Sequence, residues 1–246
     1  MERQQPTHAG PRPAALVYAL VLAAGLLGTS AVVAEGILES RECSRCHRLT
    51  VPAAEDRTVA ALSQRKAPDL FYAGSKFRPE WLRQWLLAPE RIRPAGVTPY
   101  LHAQTVDGRD RLQDTDLEPH PAVAEADVDE IVEALQALDW GTERLPRSMP
   151  AAPPVPRMLA QMNFVKFKGC ASCHRISPDF GGLSGPQLYT AADRLRPEFL
   201  TSYIADPQAW DPVAPMPGYG LPPVEVAKLV RYLDLISKEH GDASTR

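Results

Sequence analysis

The sequence predicts an all-α fold assembled from two copies of one small module, and three observations support this. First, the segments with clear hydrophobic periodicity, Val128 to Leu138 and Val224 to Ile236, follow the helical period, and no segment alternates convincingly with period two. Second, the stretch from Ala67 to Pro99 recurs without a gap from Gly185 to Pro217, with ten identical positions. These include Pro68 with Pro186, Leu70 with Leu188, Arg78 to Glu80 with Arg196 to Glu198, and Pro89 with Pro207. Third, a proline-rich run, Leu145 to Pro156, separates the copies and suits a stiff, extended connector.

The chain of 246 residues therefore divides into an N-terminal segment 1–34, a first domain 35–144, a linker 145–156 and a second domain 157–246. In the first segment, Ala14 to Ala34 carries no charge and follows Arg3 and Arg12. Its leucine-rich centre and the small residues at its end fit an export signal cleaved before Glu35. Its length equally fits a hydrophobic helix that anchors the chain in a membrane. Both alternatives put everything after residue 34 outside the cytoplasm, in the periplasm, free or tethered to the inner membrane.

Each domain then reads as a helix running into a cysteine motif, a loop, a helix near Pro79 to Leu87 or Pro197 to Ile204, a second loop, and a closing helix. The net charge of −3 gives no support for a nucleic-acid partner. Bases outnumber acids from Arg41 to Arg93, and acids dominate from Asp107 to Glu143. No phosphate-cradling glycine loop, nucleophile with an ordered base, or zinc helix with paired histidines is present.

The four cysteines all fall in two short words, CSRCH (Cys43, Cys46, His47) and CASCH (Cys170, Cys173, His174). Disulfides would not explain a histidine directly after each pair, and four thiolates at a zinc would leave both histidines surplus. CxxCH is the attachment motif of c-type haem: two thiols on one turn reach the porphyrin edge, and the next residue brings an imidazole to the iron. Two such motifs imply two covalently bound haem c groups, with His47 and His174 as iron ligands.

On these motifs and the repeat, each half resembles a class I cytochrome c domain, over most of residues 35–140 and 157–240. The resemblance implies that Pro68 and Pro186 offer their carbonyls to the proximal histidines, which sets ring orientation and ligand basicity. Trp81 and Phe199 keep a large ring at the same place in each copy and join the cofactor-binding residues. A Met-Pro pair before the last helix is the family's sixth ligand, and Met216, between Pro215 and Pro217, fits it. Met158 and Met162 read instead as core residues of the helix leading into Cys170.

The first domain departs from that pattern, because Thr98 stands opposite Met216. Aligned from the closing helix, EPHPAV comes to within two residues of APMPGY, so His120 stands where the methionine should, with His102 or an open position as the alternatives. Replacing methionine by histidine lowers haem potential. The expectation is a dihaem electron carrier that passes electrons from haem 1 to haem 2, between a redox donor and an acceptor protein. The alternatives are a dihaem enzyme of the peroxidase or thiosulfate-oxidising type with haem 1 open, or a cytochrome subunit of a respiratory complex.

Overall fold

A computed structural model describes residues 36–113 and 117–244. The expected hydrophobic helix or signal lies outside the described residues. Among those described, no helix is long and apolar enough to cross a membrane.

The all-α expectation is corrected by the structure. About 49% of the described residues are helical, and two antiparallel two-stranded sheets accompany the helices. The first pairs Ala103–Val106 with Arg109–Leu112 across Asp107 and Gly108, which both have positive φ (51° and 72°). That is the Asp-Gly hairpin turn, whose twist matches that of the strands it joins. The hairpin is mostly exposed, so turn chemistry, with no alternating apolar face, specifies it. The second sheet pairs Arg175–Ser177 with Phe180–Gly181 through an irregular register, directly after the second cysteine motif.

The main helices are Pro79–Leu87 and Glu125–Gln136 in the first half, and Arg157–Met162, Pro197–Ala205 and Pro223–Ser244 in the second. Helices Pro79–Leu87 and Pro197–Ala205 are equivalent in the repeat, and each has proline at its first position, where a missing N–H costs nothing. Residues 145–156 contain neither helix nor strand.

Two apolar clusters form the interior. One gathers Leu38, Ala73, Leu82, Leu86, Val128, Ile131, Ala134 and Leu135, so the closing helix of the first half packs on Pro79–Leu87. The other gathers Phe164, Phe199, Leu200, Trp210, Val226, Tyr232, Leu233 and Ile236 with Phe71 and Tyr72 of the first half. Met158, expected in the core, is 78% exposed. Its helix is short and turns its inward side through Ala160, ahead of the buried Phe164.

The halves join through main chain. Proline at 79 and at 197 disfavours helix for the residue before it, so Arg78 and Arg196 are extended, like Phe77 and Leu195 before them. The two extended pieces pair as an antiparallel bridge, Phe77 with Leu195. Arg78 N–H donates to the Arg194 carbonyl at 3.0 Å, and Arg196 N–H donates to the Lys76 carbonyl at 2.9 Å. Each bond is the image of the other under the repeat, so the halves are related by an approximate two-fold axis at this bridge. Rings close the seam: Tyr72 stacks on Phe199 (6.1 Å between centroids), and Trp140 meets Trp210 edge-on (6.2 Å).

Candidate functional site

The two cysteine motifs fold alike. Cys43–Arg45 and Cys170–Ser172 are single 3-10 turns, and in each the histidine N–H donates to the carbonyl of the first cysteine, at 3.0 Å for His47 and 3.1 Å for His174. The residue entering each turn is left-handed, Glu42 in one copy and Gly169 in the other. All four cysteines are free thiols, with Cys43 and Cys170 half-buried and Cys46 and Cys173 exposed. Burial pushes the Cys170 thiol up to about 11 and raises Cys43 as well. Among the described residues, no group of three or more His, Cys, Asp and Glu side chains gathers as a metal cage.

The histidine rings have their Nδ1 atoms engaged. Nδ1 of His47 lies 2.6 Å from the Pro68 carbonyl, and Nδ1 of His174 lies 2.7 Å from the Pro186 carbonyl. A carbonyl can only accept, so Nδ1 carries the proton in both rings. Burial pulls both pKa values down and favours the neutral ring, which leaves an unshared pair on Nε2. Gly185 makes room for the second ring: a Cβ there would stand 2.5 Å from His174 Cε1 and Nδ1.

The His120 ring comes near that of His47, with centroids 6.1 Å apart and planes tilted by 53°. Two imidazoles holding one metal ion from opposite sides, each about 2 Å away, have centroids about 6 Å apart. His120 Nδ1 donates to the Pro121 carbonyl at 2.8 Å, so its Nε2 is also free for coordination. The residue stays largely exposed, yet its ring rests on Trp85 at 4.6 Å. Trp85 stacks on Trp81 and Trp81 on Phe77, each at 5.6 Å. In the second half, Phe199 stacks on Tyr203 at 5.4 Å, so the pairs Trp81–Trp85 and Phe199–Tyr203 are equivalent in the two halves. His102 belongs elsewhere: it ends the turn Pro99–His102 near Gly96, and its buried Nδ1 has no partner.

Met216 is half-buried in the loop between the helices Pro207–Trp210 and Pro223–Ser244. Gln208 holds that loop, because its Nε2 donates to the Met216 carbonyl at 2.8 Å and to the Ala214 carbonyl at 3.3 Å. Sequence reasoning passed over Gln208, since a lone glutamine carries no motif. It also passed over Lys76, Arg93 and Arg194, which collect where the halves meet. The available signal was in the repeat: Lys76 aligns with Arg194, and Arg93 aligns with Asp211, a charge reversal at equivalent places.

No family model, curated protein or solved structure matches the chain.

Proposed function

We propose that this protein is a dihaem c-type cytochrome that relays single electrons between a donor and an acceptor redox protein outside the cytoplasm. The observation that carries the reading is the matched pair of hydrogen bonds from His47 to Pro68 and from His174 to Pro186, each behind a CxxCH turn. This is the outer support a metal-binding imidazole needs for a fixed orientation and tautomer.

Haem, attached through Cys43 and Cys46 and through Cys170 and Cys173, would supply the reversible one-electron change. The protein's part is to hold and tune it. His47 and His120 would hold the first haem's iron, and His174 and Met216 would hold the second's. A thioether favours the reduced iron more than an imidazole does, so with Met216 as a ligand the second site would be the acceptor and electrons would run from the first half to the second. With His120 in place the first site has no room for substrate, which supports transfer over catalysis.

The test is optical potentiometry of the purified holoprotein. The expected result is a c-type reduced spectrum with two midpoints, the lower one belonging to the first half. Substituting His120→Ala should convert one haem to high spin and let it bind carbon monoxide, whereas His102→Ala should leave the spectrum unchanged. A protein with no c-type band refutes the reading. Equal midpoints refute the direction of transfer.

A further inference from the structure

The loop that presents Met216 hangs from one short helix. Pro207–Trp210 begins with proline, is capped by Asp206, whose Oδ1 accepts the Ala209 N–H at 3.1 Å, and buries Pro207 and Trp210 fully. Gln208 of this helix reaches the loop at three places. Its Nε2 donates to the Ala214 carbonyl at 3.3 Å and to the Met216 carbonyl at 2.8 Å, and its Oε1 lies against Gly218, where a Cβ would stand 3.0 Å away. Pro215 and Pro217 have no N–H with which to tie the loop down, so the Gln208 amide supplies the polar contacts that the flanks of the methionine lack.

The helix is itself held by the first half. Trp210 meets Trp140 edge-on at 6.2 Å and lies tilted against Tyr72 at 5.6 Å, and Gly141 comes so close that a Cβ there would stand 2.8 Å from the indole. Asp211, the next residue, accepts two hydrogen bonds from the Arg65 guanidinium, at 2.5 and 3.2 Å. The same carboxylate accepts the Val213 N–H at 3.2 Å, and the Asp211 carbonyl accepts the Ala214 N–H at 2.8 Å. A continuous set of contacts therefore runs from Arg65 through Asp211 and Ala214 to Gln208 and Met216, crossing from one half to the other.

The repeat supplies an internal comparison. In the gapless alignment Gln208 stands opposite Glu90, Asp211 opposite Arg93 and Met216 opposite Thr98. An ionised carboxylate cannot donate to a carbonyl, so the half without the methionine also lacks the donor. The short helix is missing there as well, since residues 89–92 are neither helix nor strand. Donor, helix and methionine are thus present together in the second half and absent together from the first.

We propose that Gln208 is the positioning residue for Met216, and that Arg65, acting through Asp211, lets the first half set how firmly the second half presents that thioether. The inference rests on the dihaem reading above, in which Met216 would be a ligand of the second iron. A thioether is a weak ligand, so a loop free to swing would lose it readily to water. Fixing the main chain at Ala214 and Met216 removes that freedom before the ligand binds.

The experiment uses the full-length holoprotein, with covalent haem counted by intact mass, the far-red charge-transfer band of methionine-bound ferric haem recorded, and amide hydrogen exchange followed at Val213 and Ala214. Neither Gln208→Leu nor Gln208→Glu at neutral pH can donate to the two carbonyls. In both, the methionine band should weaken and the two amides should exchange faster, by on the order of tenfold. Gln208→Glu keeps the length of the side chain and decides the matter if Gln208→Leu does not accumulate. In Asp211→Asn, and in Arg65→Gln from the other half, the same band and the same amides should change in the same direction. An unchanged band and unchanged exchange in Gln208 variants that carry two haems overturn the positioning role and leave the dihaem reading intact. A response to the Gln208 variants with none to Arg65→Gln or Asp211→Asn overturns the part given to the first half. Two haems without a methionine band in the wild type overturn the proposal at Met216 itself, and a wild-type chain carrying no covalent haem overturns the dihaem reading with it.

Discussion

Arg78 and Arg196 occupy the same place in the two halves and bind across the axis that relates them, each donating its main-chain N–H to the opposite strand, to Arg194 and Lys76 respectively. Their side chains break the symmetry. Arg196 donates Nε to the Gly74 carbonyl at 2.9 Å and Nη2 to Gln136 Oε1 at 2.6 Å, whereas Arg78 makes a single 3.2 Å contact to the Leu195 carbonyl. Hydrogen bonds from a charged donor contribute about 1.5–3 kcal/mol each. Arg196→Ala should therefore destabilise by about 2–4 kcal/mol and Arg78→Ala by about half of that, read from denaturant midpoints. Equal losses would show that the side chains do not matter and that the main-chain bridge alone joins the halves.

The Arg65–Asp211 pair is the buried ionic contact between the halves, with side-chain exposures of 10% and 13%. Burial pulls the Arg65 pKa down, but the hydrogen bonds to Asp211 and the charge of Asp69 outweigh it and leave it raised. Asp69 is raised too, because burial outweighs the help it gets from Arg65 and Arg48 at their longer distances. Arg65→Ala strands Asp211 and leaves Asp69 with Arg48 at 3.9 Å, so a loss of about 3–5 kcal/mol is expected in chemical unfolding. A double substitution, Arg65→Leu with Asp211→Leu, should recover part of it.

Gly185 tests the placement of the His174 ring. In Gly185→Ala the new methyl stands 2.5 Å from the His174 ring, so the ring must move and its bond to Pro186 must lengthen. Overpacking of this kind costs about 1–3 kcal/mol. The expected outcome is that loss of stability and, in the proposed dihaem holoprotein, a changed ligand signal from the haem of the second half alone. A first-haem change would contradict the assignment.

Burial brings the Lys76 pKa down from its ordinary 10.5 to about 7, with the charges of Arg93 and Arg194 adding to the effect. Between those two values the unfolded chain holds a proton that the folded chain has released, so stability rises with pH across that window. Below pH 7 both states are protonated and the full cost of the buried charge is present. The haem-free chain should therefore gain stability from pH 7 to 10, and Lys76→Met should flatten that rise. Denaturant midpoints of the two proteins against pH provide the check.

Much of the site could be read from residue order because covalent chemistry and short-range geometry dictate it. CxxCH presents two thiols and an imidazole on one turn, and the resemblance to class I cytochrome c domains pointed to Pro68 and Pro186, whose carbonyls accept from the two rings. His120 was found because Pro119 and Pro121 mirror the prolines around Met216, and the structure brings its ring to His47. The all-α expectation failed at residues 103–112, where an Asp-Gly turn creates a hairpin without an alternating apolar face. Periodicity cannot register such a strand, although the dipeptide itself was a turn signal.

By itself, the sequence determined the duplicated module, the two cysteine turns with the histidine that follows each, and the proline-led helices, since each depends on neighbours a few positions apart. Tertiary structure alone brought His120 close to His47, and paired the halves through Phe77 and Leu195. It also carried Lys76 and Arg194 to that bridge. These relationships join residues roughly 70 to 120 positions apart. Their energies come from burial and from charges brought close in a low-dielectric interior, which no local pattern encodes.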